Sequence, residues 1–160
     1  MIQSTSISSS LSFNHSNDND ISRNDLVRLI QNLEKTKDVS KRLEKYDAIL
    51  GNKKIDCLLS KEEIADVFWN QALDGSTIAE RYFNGEVFGR RQLVPALTHQ
   101  QSAISAMEKA KSLYGKAEYI EMAEENVKKM RIFLEHIRLE LVKASAKIPD
   151  FVLNSENQQK

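Results

Sequence analysis

The sequence predicts an all-α protein: a four-helix-bundle-like domain with a long antiparallel C-terminal helical hairpin, preceded by a disordered polar head. Three observations predict it. The 160 residues hold five glycines, two prolines and 7% aromatic side chains against 29% charged ones, a balance that suits helices and not strands. Apolar residues recur at three- and four-residue steps along most of the chain. Ile120, Ala123, Val127, Met130, Leu134, Ile137, Leu141 and Ala144 alternate those steps without a break, the repeat of a helix packed lengthwise on another.

Residues 1–20 carry seven serines, no Lys or Arg, and only scattered Ile2, Ile7, Leu11 and Phe13. Such a segment buries too little to offset the entropy of ordering, so it is expected to be disordered. The helical body is expected over 21–148, with a polar tail over 149–160 that Pro149 sets off. Ser22 and Asp25 form a helix start, and Leu26, Leu29, Ile30, Leu33, Leu43, Tyr46 and Leu50 fall on one side of the helical stretch that it opens. Polar Thr36, Lys37 and Ser40 interrupt that stripe, which predicts a bend near KTKD or a division into two helices. Gly51 and Asn52 end the segment.

Ser60 and Glu63 spell a capping box, hydroxyl to amide and carboxylate back to amide, and open the next helix. Ile64, Val67, Phe68, Gln71 and Ala72 form its buried stripe. Asp74, Gly75, Ser76 and Thr77 are turn formers, predicting a kink there or a separate short helix over 78–83. Gly85 and Gly89 mark a connection, and Pro95 suits the first turn of a third helix because its missing N–H needs no partner there. That helix is expected to run to about Tyr114, with a shorter seam of Leu97, Gln100, Ile104, Met107 and Tyr114. Gly115 is expected as its left-handed cap and as the tight link into the fourth helix.

Composition excludes several functional classes. The 23 basic and 23 acidic side chains cancel, so no global field draws in nucleic acid or anionic lipid, and nucleic acid is not an expected partner. No run approaches the roughly 20 apolar residues of a membrane span. The single Cys57, read as a buried structural thiol, cannot form an internal disulfide. His15, His99 and His136 are scattered, so no metal site is expected and no cofactor motif is present.

Arg131 to His136, RIFLEH, resembles the arginine-then-histidine spacing of the HEPN-family ribonucleases, which are also small helical bundles. The resemblance implies that Arg131 and His136 would polarise attack of a ribose 2′-hydroxyl on the adjacent phosphate, in a cleft shared between subunits. Five residues of regular helix, however, set two side chains about 140° apart. The structural alternative is a pair of helix flanks, with Glu135 supporting Arg131.

The head resembles the unfolded export signals of type III secretion substrates, which implies an effector, regulator or accessory component, cytoplasmic or exported without a cleaved signal. The leading expectation is a non-enzymatic helical interaction module whose partner is another protein or a second copy of the chain. Its contact patch is expected at Trp69, Tyr82, Phe83 and Phe88 with Arg90 and Arg91, where Gly75, Gly85 and Gly89 interrupt regular helix; Phe83 is the ring most suited to the core instead.

Overall fold

A computed structural model describes residues 21–146, and among these the protein is all-helical. The expectations for the head and for the tail from residue 147 onward lie outside the described residues. The six helices are α1 (Arg23–Lys35), α2 (Val39–Leu50), the single turn α3 (Ile55–Leu58), and three long helices, α4 (Lys61–Phe83), α5 (Leu93–Leu113) and α6 (Ala117–Ser145). The first amphipathic stretch therefore divides at KTKD: Asp38 caps α2 by accepting from the Ser40 and Lys41 amides.

The expected capping box at Ser60 forms, and the helix start at Ser22 proves to be a second one. Ser22 and Asp25 close the start of α1, and Ser60 and Glu63 close the start of α4. Arg23 then ties the two starts together, with Nη1 and Nη2 donating to the two Glu63 oxygens at 2.8 and 3.0 Å. The α1–α2 pair covers the first half of α4 through Leu26, Leu33, Tyr46, Ile49, Ile64 and Val67. Helix α5 runs back along α4, and α6 returns along α5 to complete the expected hairpin.

The expected break at Asp74–Thr77 is absent: α4 is continuous through it. Each turn former has another task instead. Asp74 holds Arg42 and Tyr46, and the Ser76 hydroxyl donates to Gln100 Oε1 at 2.9 Å. Thr77 donates back to the Leu73 carbonyl. Gly75 lets the α4 backbone approach α5, since a Cβ there would lie 3.3 Å from the Ala103 Cβ. Buried Ala65, Ala72, Ala103, Ala106 and Ala110 continue that close contact, giving α4 and α5 an alanine-lined interface. The expected α5 seam is correspondingly mixed: Gln100, Met107 and Tyr114 are buried, while Leu97 and Ile104 lie at its edge.

On α6, the heptad from Ala123 to Ile137 is buried as expected, and Ala144 is exposed where the helix outruns its neighbours. Two further expectations are corrected. Gly115 is not left-handed; among the described residues the positive-φ ones are Gly85 and Gly89, and extended Tyr114 ends α5. Gly85, at φ +78° with the Arg90 backbone 3.0 Å from where a Cβ would sit, is required by the α4–α5 turn. Cys57 is exposed, because Ile55 and Leu59, four residues apart, take the inward side of the α3 turn.

Candidate functional site

Asp66, Asn70 and Asp74 recur every fourth residue along α4 and form a polar stripe between two packed regions. Helix α1 lies to one side with α2, and the start of α6 lies to the other with α5, so the stripe floors an open groove of about 690 Å³. Val27, Ile30 and Glu34 of α1 form one wall. Tyr114, Tyr119 and Met122 form the other, with Trp69 at its base.

The rings on that second wall are clustered. Trp69 meets Tyr114 edge to face at 6.0 Å, and Tyr114 meets Tyr119 at 5.3 Å. The Tyr114 hydroxyl donates to Asp66 Oδ1 at 2.6 Å, which ties the Tyr114 wall to the groove floor. Burial first, and that bond second, raise its pKa well above the ordinary phenol value. Tyr119 and Met122 keep 38% and 48% of their surface exposed where they line the groove.

Charge in the groove is unequal. Four carboxylates, Glu34, Glu63, Asp66 and Asp74, line it with one guanidinium, that of Arg42. Arg42 neutralises Asp74 and Arg23 neutralises Glu63. Asp66 has only the Tyr114 hydroxyl, and Glu34 has no hydrogen bond or ion pair among the described residues. A second groove of about 570 Å³, between α2 and α5, is walled by polar side chains such as Ser102, Ser105 and Lys109 and has one phenyl ring, Phe68.

The residues anticipated for partner contact separate into two places. Trp69 belongs to the α1–α6 groove, whereas Tyr82 lies 13 residues further along α4, about 20 Å at 1.5 Å per residue. There Tyr82 stacks on His99 at 5.4 Å and leans on Phe88, which is 67% exposed. Phe83 is buried against Phe133, with Arg91 Cζ 4.5 Å above its ring, and Arg91 also pairs with Glu140 at 3.0 Å. Arg90 is exposed on the same turn.

Arg131 and His136 engage different helices. Arg131 pairs with Glu108 of α5 at 3.1 Å, while the His136 ring lies 5.0 Å from Phe83 of α4. No group of three or more His, Cys, Asp or Glu side chains among the described residues is arranged to hold a metal. No helix among them is long and apolar enough to cross a membrane.

Sequence reasoning does not single out Tyr46, Asp66, Asp74, Tyr119 or Met122 as groove residues. The four-residue recurrence of Asp66, Asn70 and Asp74 beside Val67 and Trp69 is the available signal. The pairing of Tyr114 with Asp66, 48 positions apart, has none. Against known proteins, the chain gives no significant match to a family model, a curated sequence or a solved structure.

Proposed function

We propose that this chain is a helical protein-interaction module that receives a segment of its partner in the groove between α1 and α6. One observation carries the proposal: Trp69, Tyr119 and Met122 stand part-exposed around an open groove on a rigid helical frame. Aromatic side chains give large contact area for few degrees of freedom lost, methionine adapts its flexible thioether to an irregular surface, and both are enriched where proteins meet. The groove is not enclosed, which suits an extended or helical segment better than a sequestered small molecule. The polar head, free of Lys and Arg, supports placing the module among exported or chaperone-held components such as those of type III secretion.

Trp69 is the one tryptophan of the chain, so its emission reports the groove directly. A partner segment bound there should shift Trp69 emission saturably, and Met122→Ala should weaken its binding several-fold while the thermal midpoint stays close to the parent value. A partner that binds with no Trp69 response and ignores Met122→Ala docks elsewhere, which overturns the assignment. Export that proceeds unchanged after removal of residues 1–20 would overturn the secretion reading separately.

A further inference from the structure

With the groove taken as a docking site, a reading on which this step rests, its side chains also define the chemistry of what docks. We propose that the occupant is a cationic segment of another protein, its Lys or Arg side chains facing Glu34 and Asp66 and an apolar side chain lodged among Trp69, Tyr119 and Met122.

Charge complementarity is the first reason. The chain as a whole is neutral, yet four carboxylates line the groove with the single guanidinium of Arg42, while Arg23 pairs with Glu63 and Lys116 stands over the Tyr119 ring at the mouth. Those two guanidiniums are already committed to Asp74 and Glu63, so among the described residues Glu34 has no ion pair and Asp66 has only the Tyr114 hydroxyl. A low-dielectric wall beside like charges focuses potential into the groove, so a neutral or acidic segment would be disfavoured where a basic one is drawn in.

Ring chemistry is the second reason. The electron-rich faces of Trp and Tyr attract ammonium and guanidinium groups. The chain already shows this at the groove mouth, where Lys116 Nζ sits 5.6 Å from the centre of the Tyr119 ring. Lys116 stands on the linker before α6, where a partner's Lys or Arg could displace it toward solvent. Asp66, held by the Tyr114 hydroxyl, is positioned beside the same ring cluster to receive that charge.

Selection from a display library of random 16-residue peptides on the full chain tests the proposal without presupposing a partner. Clones retained should carry net positive charge, shift Trp69 emission, and bind several-fold more weakly at about 0.5 M salt than at about 0.1 M. Glu34→Lys reverses an exposed, unpaired charge and should leave the thermal midpoint unchanged while weakening those clones by about three- to tenfold. Clones that depend on Tyr119 and Met122 but lack positive charge and tolerate Glu34→Lys would overturn the cationic assignment and leave the groove standing. Clones that ignore substitution of Tyr119 and Met122, or no clones at all, would overturn the groove reading and this inference with it. Self-association that shifts Trp69 emission with no peptide present would give the groove to a second copy, again overturning the proposal.

Discussion

Asp74 receives both arms of the Arg42 fork, Nε and Nη2 each at 2.8 Å, and the Tyr46 hydroxyl at 2.7 Å. The three residues join α2 to α4 at the end of the groove. Arg42 also donates to the Thr36 carbonyl at 2.7 Å, so one guanidinium fastens the α1–α2 link as well. Tyr46 is buried, and that burial, reinforced by the bond to Asp74, raises its pKa far above the ordinary phenol value.

Asp74→Ala should therefore destabilise the protein by about 2–4 kcal/mol, because it strands a half-buried guanidinium and a buried hydroxyl at once. Urea denaturation measures it. Asp74→Asn keeps one acceptor and should lose less, whereas Arg42→Lys should behave nearly as badly as Asp74→Ala because an ammonium cannot reproduce the fork. A loss below about 0.5 kcal/mol for Asp74→Ala would show that the triad contributes no more than an exposed pair.

Gly75 is the neighbouring case, and its missing side chain is its function. Gly75→Leu should force α4 from α5 at Ala103 and cost about 2–3 kcal/mol or more through overpacking. Gly75→Ala opposes a gain of about 1 kcal/mol in helix propensity to a Cβ contact at 3.3 Å, so its net effect should be within about 1 kcal/mol of zero. Thermal denaturation of the two variants separates close packing from simple flexibility: if Gly75→Leu melts like the parent, the close-approach account is wrong.

These residues show where the sequence is legible and where it is not. The α6 heptad, both capping boxes and the division at KTKD are local patterns, written within a few residues of where they act. Asp74, Gly75, Ser76 and Thr77 carry the same local signature as a helix break, but partners 24 to 32 positions away use each of the first three otherwise. Local propensity loses to tertiary packing. The alanine interface is equally hard to see, because a search for large apolar side chains favours Leu97 and Ile104 over the buried Ala96 and Ala103. The groove lies between helices that are remote in sequence, so Trp69 alone among its contact residues stands out before the fold is known.

Gln100 is fully buried on α5, where its amide spans two helices. Oε1 accepts from the Ser76 hydroxyl of α4, and Nε2 donates to the Met130 carbonyl of α6 at 2.9 Å. Gln100→Leu keeps the bulk but leaves that hydroxyl without its partner, and should cost about 1–3 kcal/mol. Pairing it with Ser76→Ala should recover part of the loss, since both polar ends are then gone. Strict additivity of the two substitutions in urea denaturation would refute the bridge.

The Arg23–Glu63 pair gives the fold a pH dependence whose direction follows from its geometry. Arg23 donates to both Glu63 oxygens, and the Ser60 amide adds a third bond at 2.9 Å, which together lower the Glu63 pKa from 4.5 to about 2. In the unfolded chain the carboxyl takes up its proton near 4.5, while in the folded protein it stays ionised down to about 2. The unfolded state thus binds more protons across that window, so the stabilisation is complete above it and is lost as pH falls through it. Arg23 is 53% exposed and Glu63 34%, so solvent screening limits the effect to about 1 kcal/mol. Glu63→Gln should accordingly melt below the parent protein near neutral pH, and the gap should narrow as the pH falls from about 5 to about 2.5. Thermal melts followed by circular dichroism at both pH values check the prediction. A gap that stays constant or widens toward acid would mean that the carboxylate charge, and with it the tie between the starts of α1 and α4, adds nothing to the folded state.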